Sequence, residues 1–315
     1  MATKKSIGID LGGTNIACAL VEDGKLLHKV SIPTRAKEGK EYVFNAIFEA
    51  IESILAQTNT SKEEVEGIGI GVPGLVDIDR GVVKLAPNLF WEHVPVKEII
   101  EKKFKLPVAV DNDANAAALG EVLNGAGKGN NDVVCITIGT GIGSGLIING
   151  KIHHGLNGGA GEFGHVTVKE DGPLCNCGNQ GCLETLTSAT AIANEGMKIL
   201  KASKTSILAQ FVTEGQPLGA KEVFLAAEKG DKECKEVIEQ ACKSLGMALA
   251  NVVNLLNPQQ IIVGGGVSHA GDALFRPLTK WINHYSLDIL NKDLSVDPAQ
   301  LGNDAGIVGA AGLIN

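Results

Sequence analysis

The sequence predicts an α/β protein of two domains, with mixed sheets covered by helices, on three observations. The chain has 315 residues, enough for about two domains that each bury a full core. Its first third follows the order β-β-β-α-β-α-β, which suits a mixed sheet with helices on its faces. A strand, a glycine turn, a second strand and an Asx-Gly-Lys hairpin turn near the N-terminus recur about 126 positions later, as in a duplication.

Residues 6–11 alternate into a strand that ends in Asp10-Leu11-Gly12-Gly13-Thr14-Asn15. Residues 16–22 form a second strand and turn at Asp23-Gly24, a two-residue hairpin signal. Backbone N–H groups and one hydroxyl of Gly12-Gly13-Thr14 can crowd around an anion, and Asp10 can orient a hydrated Mg²⁺. Taken alone the motif is also an ordinary hairpin turn. Val43, Phe44, Ile47, Phe48, Ile51, Ile54 and Leu55 have the spacing of a helix over 42–55. Residues 66–72 read as a buried strand closed by Gly71-Val72-Pro73-Gly74. A strand pair around Asp79-Arg80-Gly81 leads into Pro87-Asn88-Leu89-Phe90-Trp91, followed by a helix over 96–104 and a strand over 106–110.

Four polar side chains then fall within five residues, Asp111-Asn112-Asp113-Ala114-Asn115, where that strand gives way to an alanine-rich helix. Asp111 or Asp113 can cap the helix. One cap leaves the other polar groups unexplained, so a ligand site is expected at this strand end, with an Asp placed to act as a general base. The repeat follows: residues 133–138, Gly139-Thr140-Gly141, residues 144–148 and Asn149-Gly150-Lys151. Any two glycine-rich hairpins look alike, but the matching Asx-Gly-Lys turn favours a duplication, which offers a second phosphate-binding turn. Residues 155–161 read as a flexible glycine-rich loop that delivers Glu162 and His165.

Three of the seven cysteines, Cys175, Cys177 and Cys182, lie within eight residues, with His165 just upstream and Glu162 and Glu184 bracketing the segment. Three thiolates and an imidazole complete a tetrahedral zinc shell with no open position, which excludes a zinc hydrolase. The alternatives are a disulfide between Cys175 and Cys182 or three buried thiols. Cys18, Cys135, Cys234 and Cys242 are scattered singly among apolar residues, unlike a secreted disulfide framework. After Glu184 the chain is helical, and a long apolar-periodic segment stops at Asn257-Pro258. A strand over 260–263 runs into Gly264-Gly265-Gly266, where an adenine–ribose can lie on bare backbone, or where a strand simply turns tightly into a helix. The last helix, about 304–314, is Gly/Ala-rich and is expected to pack on the first domain.

A net charge of −8 argues against nonspecific binding to nucleic acid or anionic membranes. The N-terminal residues carry no signal-peptide hydrophobic region, and no apolar run approaches membrane-spanning length. A cytoplasmic protein is expected.

With these pieces in order, the chain resembles the ROK family (repressors, open reading frames and sugar kinases) of the actin-like ATPase superfamily, and within it the bacterial glucokinases. The likeness covers nearly the full length. It rests on Asp10-Leu11-Gly12-Gly13-Thr14, Gly71-Val72-Pro73-Gly74, Asn112-Asp113-Ala114-Asn115, Gly139-Thr140-Gly141-Ile142-Gly143, Glu162-x-Gly-His165, the cysteine motif through Glu184, and Gly264-Gly265-Gly266. The resemblance implies a two-domain, ribonuclease H-like fold with a cleft between domains, the smaller formed by residues 1–112 and 301–315 and the larger, zinc-bearing one by 113–300. It implies Asp113 as catalytic base and Gly74, Asn88, Asn112, Glu162, His165 and Glu184 around the sugar. Asp10, Gly12, Gly13, Thr14, Thr140, Gly141 and Gly264 to Gly266 would serve ATP and its Mg²⁺, and His165, Cys175, Cys177 and Cys182 would hold a structural Zn²⁺. Family repressors carry an N-terminal helix-turn-helix; here the first strand starts within ten residues, so none is expected.

The implied activity is ATP-dependent phosphorylation of glucose to glucose 6-phosphate by a homodimer or homotetramer. Fructose, mannose, allose or an N-acetylhexosamine are competing acceptors, and polyphosphate is a competing donor. A non-catalytic sugar sensor or zinc-ribbon interaction module is the alternative of another class. An intact Asp113 and two phosphate turns argue against it.

Overall fold

The computed structural model describes residues 5–203, 205–213 and 215–314; residues 1–4 of the N-terminal segment lie outside them. The chain divides into two compact units, Met1–Val133 with Gly145–Gly161 and Gln300–Asn315, and Val134–Ser144 with Glu162–Ala299.

In the first unit, β1 (Lys5–Leu11), β2 (Asn15–Glu22) and β3 (Lys25–Pro33) form an antiparallel meander. The β2–β3 turn holds Asp23 at φ 45° and Gly24 at φ 77°, the left-handed pair that a two-residue hairpin requires. Helix α1 (Lys40–Gln57) follows, and its apolar stripe is buried at Val43, Phe44, Ile47, Ile51, Ile54 and Leu55. After β4 (Val65–Val72), the strands β5 (Leu75–Asp77), β6 (Val82–Ala86) and β7 (Trp91–Val94) make a small antiparallel sheet. Strand β7 is an addition to the expected elements. Its Trp91 stacks on Phe44 with ring centroids 5.3 Å apart. Helix α2 (Val96–Phe104), strand β8 (Val108–Asn112) and helix α3 (Asp113–Asn124) complete this stretch.

The chain continues through β9 (Val133–Ile138), β10 (Ile142–Ile148) and β11 (Lys151–Ile152). The second unit holds the cysteine segment, α4 (Glu184–Thr187), α5 (Ala189–Ala202), α6 (Ala220–Glu228), α7 (Lys232–Leu256), β12 (Gln260–Gly264), α8 (Asp272–Tyr285), α9 (Asp288–Asn291) and β13 (Ser295–Pro298). Helix α7 ends at Asn257, whose φ of 46° closes the helix just before Pro258.

The two five-stranded sheets run β3-β2-β1-β4-β8 and β11-β10-β9-β12-β13. Each carries an antiparallel hairpin on one flank and parallel pairing on the other. The hairpin turn of the second repeats the first, with Asn149 at φ 53° and Gly150 at φ 73°.

The unit boundaries differ from the expected domains. Residues 113–133 and 145–161 belong with the first unit rather than the second, and the division runs through β10. The reason is backbone proximity. The final helix α10 (Ala305–Gly312) packs on α3 and on β1 so closely that a Cβ on Gly309 would stand 1.6 Å from the Ala116 carbonyl oxygen. Glu121, on α3 and 1% exposed, accepts hydrogen bonds from the backbone N–H groups of Ala126 (2.9 Å), Gln300 (3.1 Å) and Leu301 (2.8 Å). Three donors replace the water this carboxylate gives up, and they bind α3 to the returning chain.

Candidate active site

In the first unit the polar residues gather at the carboxyl ends of parallel strands, where open sheets bind ligands. The register aligns Asp10 of β1 with Gly71 of β4, Gly71 with Asp111 of β8, and Val72 with Asn112. Asn112, rather than Asp111 or Asp113, caps α3. Its Oδ1 accepts from the N–H groups of Ala114 (2.8 Å) and Asn115 (3.2 Å), and its Nδ2 donates to the Gly74 carbonyl (3.1 Å). Gly74 has φ 106°, and a Cβ there would stand 2.1 Å from the Leu85 carbonyl oxygen, so the close approach needs glycine. Asp113 opens α3, its Oδ1 accepting from the Ala114 N–H at 2.9 Å.

Asp10 lies near Asp113, and its carboxyl is pushed up to about 6, by burial first and the Asp113 charge second, with Lys29 pulling the other way. Gly306 on α10 leaves room for it; a Cβ there would sit 3.0 Å from Asp10 Oδ2. The turn after β1 is closed by the Gly12 N–H donating to the Asn15 carbonyl (3.0 Å) and by Thr34, whose Oγ1 donates to the Gly12 carbonyl (2.6 Å) and whose N–H donates to the Thr14 carbonyl (2.8 Å). Asn88 packs against this turn, its Cβ 3.5 Å from where a Cβ of Gly13 would be.

In the second unit the ligand atoms of His165, Cys175, Cys177 and Cys182 all lie within 4.8 Å of one another. The Cys177 and Cys182 sulfurs are 3.6 Å apart, well beyond the bonded distance of about 2.05 Å. The seven cysteines are free thiols. His165 Nδ1 faces this cluster, 3.6 Å from Cys175 Sγ, while Nε2 points to the other side, 3.9 Å from Glu162 Oε2. Cys175 donates to Glu184 Oε1 at 3.1 Å, and Glu184 Oε2 accepts from the Ile142 N–H at 3.4 Å. Burial pushes the Cys175 thiol up to about 12, whereas a backbone hydrogen bond at Asn179 holds exposed Cys177 below the usual thiol value.

Glu184 therefore links the cysteine cluster to the Gly139–Thr140–Gly141 turn. That turn is tied down by the Ala189 N–H to Gly139 (2.9 Å) and by Thr190 Oγ1 to the Thr140 carbonyl (2.8 Å). A cavity of about 340 Å³ opens here, lined by Thr140, Gly141, Cys175, Glu184, Ser188 and Asn194 among others. Gly265 has φ 82°, and a Cβ on it would stand 2.5 Å from the Ile138 carbonyl oxygen, so Gly264 and Gly265 lie against the strand that leads into the same turn, while Gly266 is open.

A model of the ROK family matches residues 6–315. The chain belongs to the ROK family. Among ROK proteins it is similar to the glucokinase of Halalkalibacterium halodurans, 42% identical over 100% of this chain and 96% of that one, and to the glucokinase of Thermotoga maritima, 39% identical over 100% and 98%. A crystal structure of a ROK family glucokinase from Streptomyces griseus in complex with glucose and AMPPNP superposes with a TM-score of 0.81 at 38% identity, covering 98% of each chain. The fold is thus the two-domain actin-like ATPase fold that ROK proteins adopt.

Sequence reasoning missed one pair in this ROK chain. His154 Nε2 lies 2.6 Å from Oδ2 of Asp111, which is 2% exposed. The hydrogen bond to Asp111 raises the His154 pKa against partial burial, and the Asp79 charge adds to it. The glycine-rich loop that follows is tied down rather than free. Ala160 N–H donates to the His154 carbonyl (3.1 Å), Lys84 Nζ donates to the Asn157 carbonyl (3.3 Å), and a Cβ on Gly158 would meet the Val76 carbonyl oxygen at 2.3 Å. A histidine just before a glycine loop was the available signal, but no local pattern pairs it with Asp111.

Proposed function

We propose that this chain is an ATP-dependent glucose kinase that makes glucose 6-phosphate. Likeness to glucokinases over the whole chain supports the reaction class and the sugar. The observation that carries catalysis, over mere sugar sensing, is Asp113 held at the head of α3 by the Asn112 cap, at the carboxyl end of a parallel strand.

Phosphoryl transfer demands positioning and charge neutralisation more than covalent chemistry. Asp113 takes the proton of the sugar 6-hydroxyl as that oxygen attacks the γ-phosphorus in line, and ADP leaves. Asn112, hydrogen-bonded to Gly74, and Asn88 orient the sugar in the first unit, and Glu162, Glu184 and the Nε2 of His165 hold hydroxyls in the second. The Gly12–Gly13–Thr14 and Thr140–Gly141 turns receive phosphates on backbone N–H groups, and Gly264 to Gly266 receive the adenosine.

Three sulfurs and one imidazole nitrogen within 4.8 Å suit zinc, a closed four-ligand site that would fix the loop bearing Glu162, His165 and Glu184. Asp10, raised toward neutrality without a cation, is suited to orient hydrated Mg²⁺, which supplies charge neutralisation for the phosphates. The enzyme works in the cytoplasm as a homodimer or homotetramer. No described helix is long and apolar enough to cross a membrane.

The test is ADP release from ATP with a panel of hexoses. Glucose is expected to give the highest kcat/KM, ahead of mannose, fructose, allose and N-acetylhexosamines. A better acceptor among these would reassign the sugar, and an absence of hexose-dependent ADP release would leave a binding protein.

A further inference from the structure

We propose that His154 is a positioning residue for phosphoryl transfer, acting on Asp113 through Asp111 by clamping the strand end that presents the base. This rests on the kinase reading above.

The geometry is a short chain of contacts. His154 Nε2 meets Asp111 Oδ2 at 2.6 Å. The other carboxylate oxygen, Oδ1, accepts from the Asn112 N–H at 2.7 Å and from Asn115 Nδ2 at 3.0 Å. The Asn115 N–H in turn donates to Asn112 Oδ1 at 3.2 Å. Asp113 lies between Asn112 and Asn115 in the first turn of α3, so this network brackets the base on both sides.

Asp111 is buried, and a buried carboxylate holds its orientation only while its lone pairs are matched. Two of its partners belong to the same strand–helix corner. His154 is the partner that comes from elsewhere, on the segment just after β11. Its imidazole is 28% exposed, so it contributes little apolar core. Its place in the structure is explained by the hydrogen bond it makes. Losing that bond frees Oδ2 and lets the Asp111 carboxylate rotate away from Asn112 and Asn115, with a displacement of the base as the consequence. A base misplaced by a fraction of an ångström slows proton transfer and leaves sugar binding largely intact.

The experiment compares His154→Ala and His154→Gln with wild type in glucose-dependent ADP release, and measures glucose binding by calorimetry. His154→Ala is expected to lower kcat by roughly ten- to a hundredfold with the glucose Kd within about threefold of wild type. His154→Gln, whose amide N–H can reach the same oxygen, is expected to recover kcat to within about threefold. The inference is overturned if His154→Ala keeps kcat within about twofold, if Gln restores nothing, or if the loss falls on Kd alone. Should His154→Ala fail to fold, Asp111→Asn replaces it; a normal kcat in that variant overturns the inference equally. A wild type without glucose-dependent ADP release fails the kinase reading instead, before any variant is compared.

Discussion

The strand-end corner of residues 108–115 and the cysteine segment of residues 162–184 each carry candidate functional groups, and they are built by opposite means. The corner belongs to regular structure. Its strand is third in a parallel run, its helix packs on α10 through glycine contacts, and Asn112 and Asp111 spend their hydrogen bonds on neighbouring backbone and side chains. The cysteine segment has one 3₁₀ turn and two isolated bridges, Thr167↔Cys182 and Leu174↔Gln180, and many of its side chains are exposed. What converges there is a set of metal-ligand atoms. Hydrophobic burial orders the first region; on the proposed reading a bound cation would do the same for the second.

The largest effect that bears on this contrast is at the base. Asp113→Asn should lower kcat by roughly a hundredfold or more while the fold persists, since the amide fits the same helix start but cannot accept the proton. Steady-state ADP release measures it, and a variant of near-normal activity would remove Asp113 from the role.

Next in size is the metal. Elemental analysis should find about one zinc per chain, and chelation or Cys177→Ser should lower activity about tenfold or more. Hydrogen exchange should rise in residues 162–184 and stay protected in β1, β4 and β8. A metal-free preparation of full activity would erase the contrast between the two regions.

The smallest effect concerns Asp10. Its folded value of about 6 lies above the ordinary 3.8, so the native state keeps a proton that the unfolded chain releases. The corresponding stability is present below about pH 4 and is lost as pH rises toward 6, a loss of up to roughly 2–3 kcal/mol. Asp10→Asn should therefore unfold in urea with a flatter dependence between pH 4.5 and 8 and gain about 1–2 kcal/mol at pH 8, at the expense of activity. An unchanged pH slope would mean that Asp10 does not carry this strain.

Much of this was legible in the sequence because it is local. The repeated strand–turn–strand pattern foretold the two matching hairpins, and the cysteine segment foretold which four side chains meet. The gaps are contacts between distant residues. Residues 113–133 join the first unit because Gly309 lets α10 press on Ala116, a fit that no periodicity expresses. Strand β7 spans only four residues between the left-handed Phe90 and Pro95, too short for an alternation signal. The cap fell to Asn112 although an Asp stood on either side, because Asp111 turns to His154, 43 residues away. The glycine loop reads as flexible by composition, yet it is pinned by His154, Lys84 and Val76.

If Asp113 performs the chemistry while other residues hold the sugar, a calorimetric glucose titration of Asp113→Asn alongside its turnover separates the two roles. The expected result is a Kd within about threefold of wild type in a protein that has lost most of its kcat. A variant that no longer binds glucose, or one that binds it and turns over normally, would contradict it.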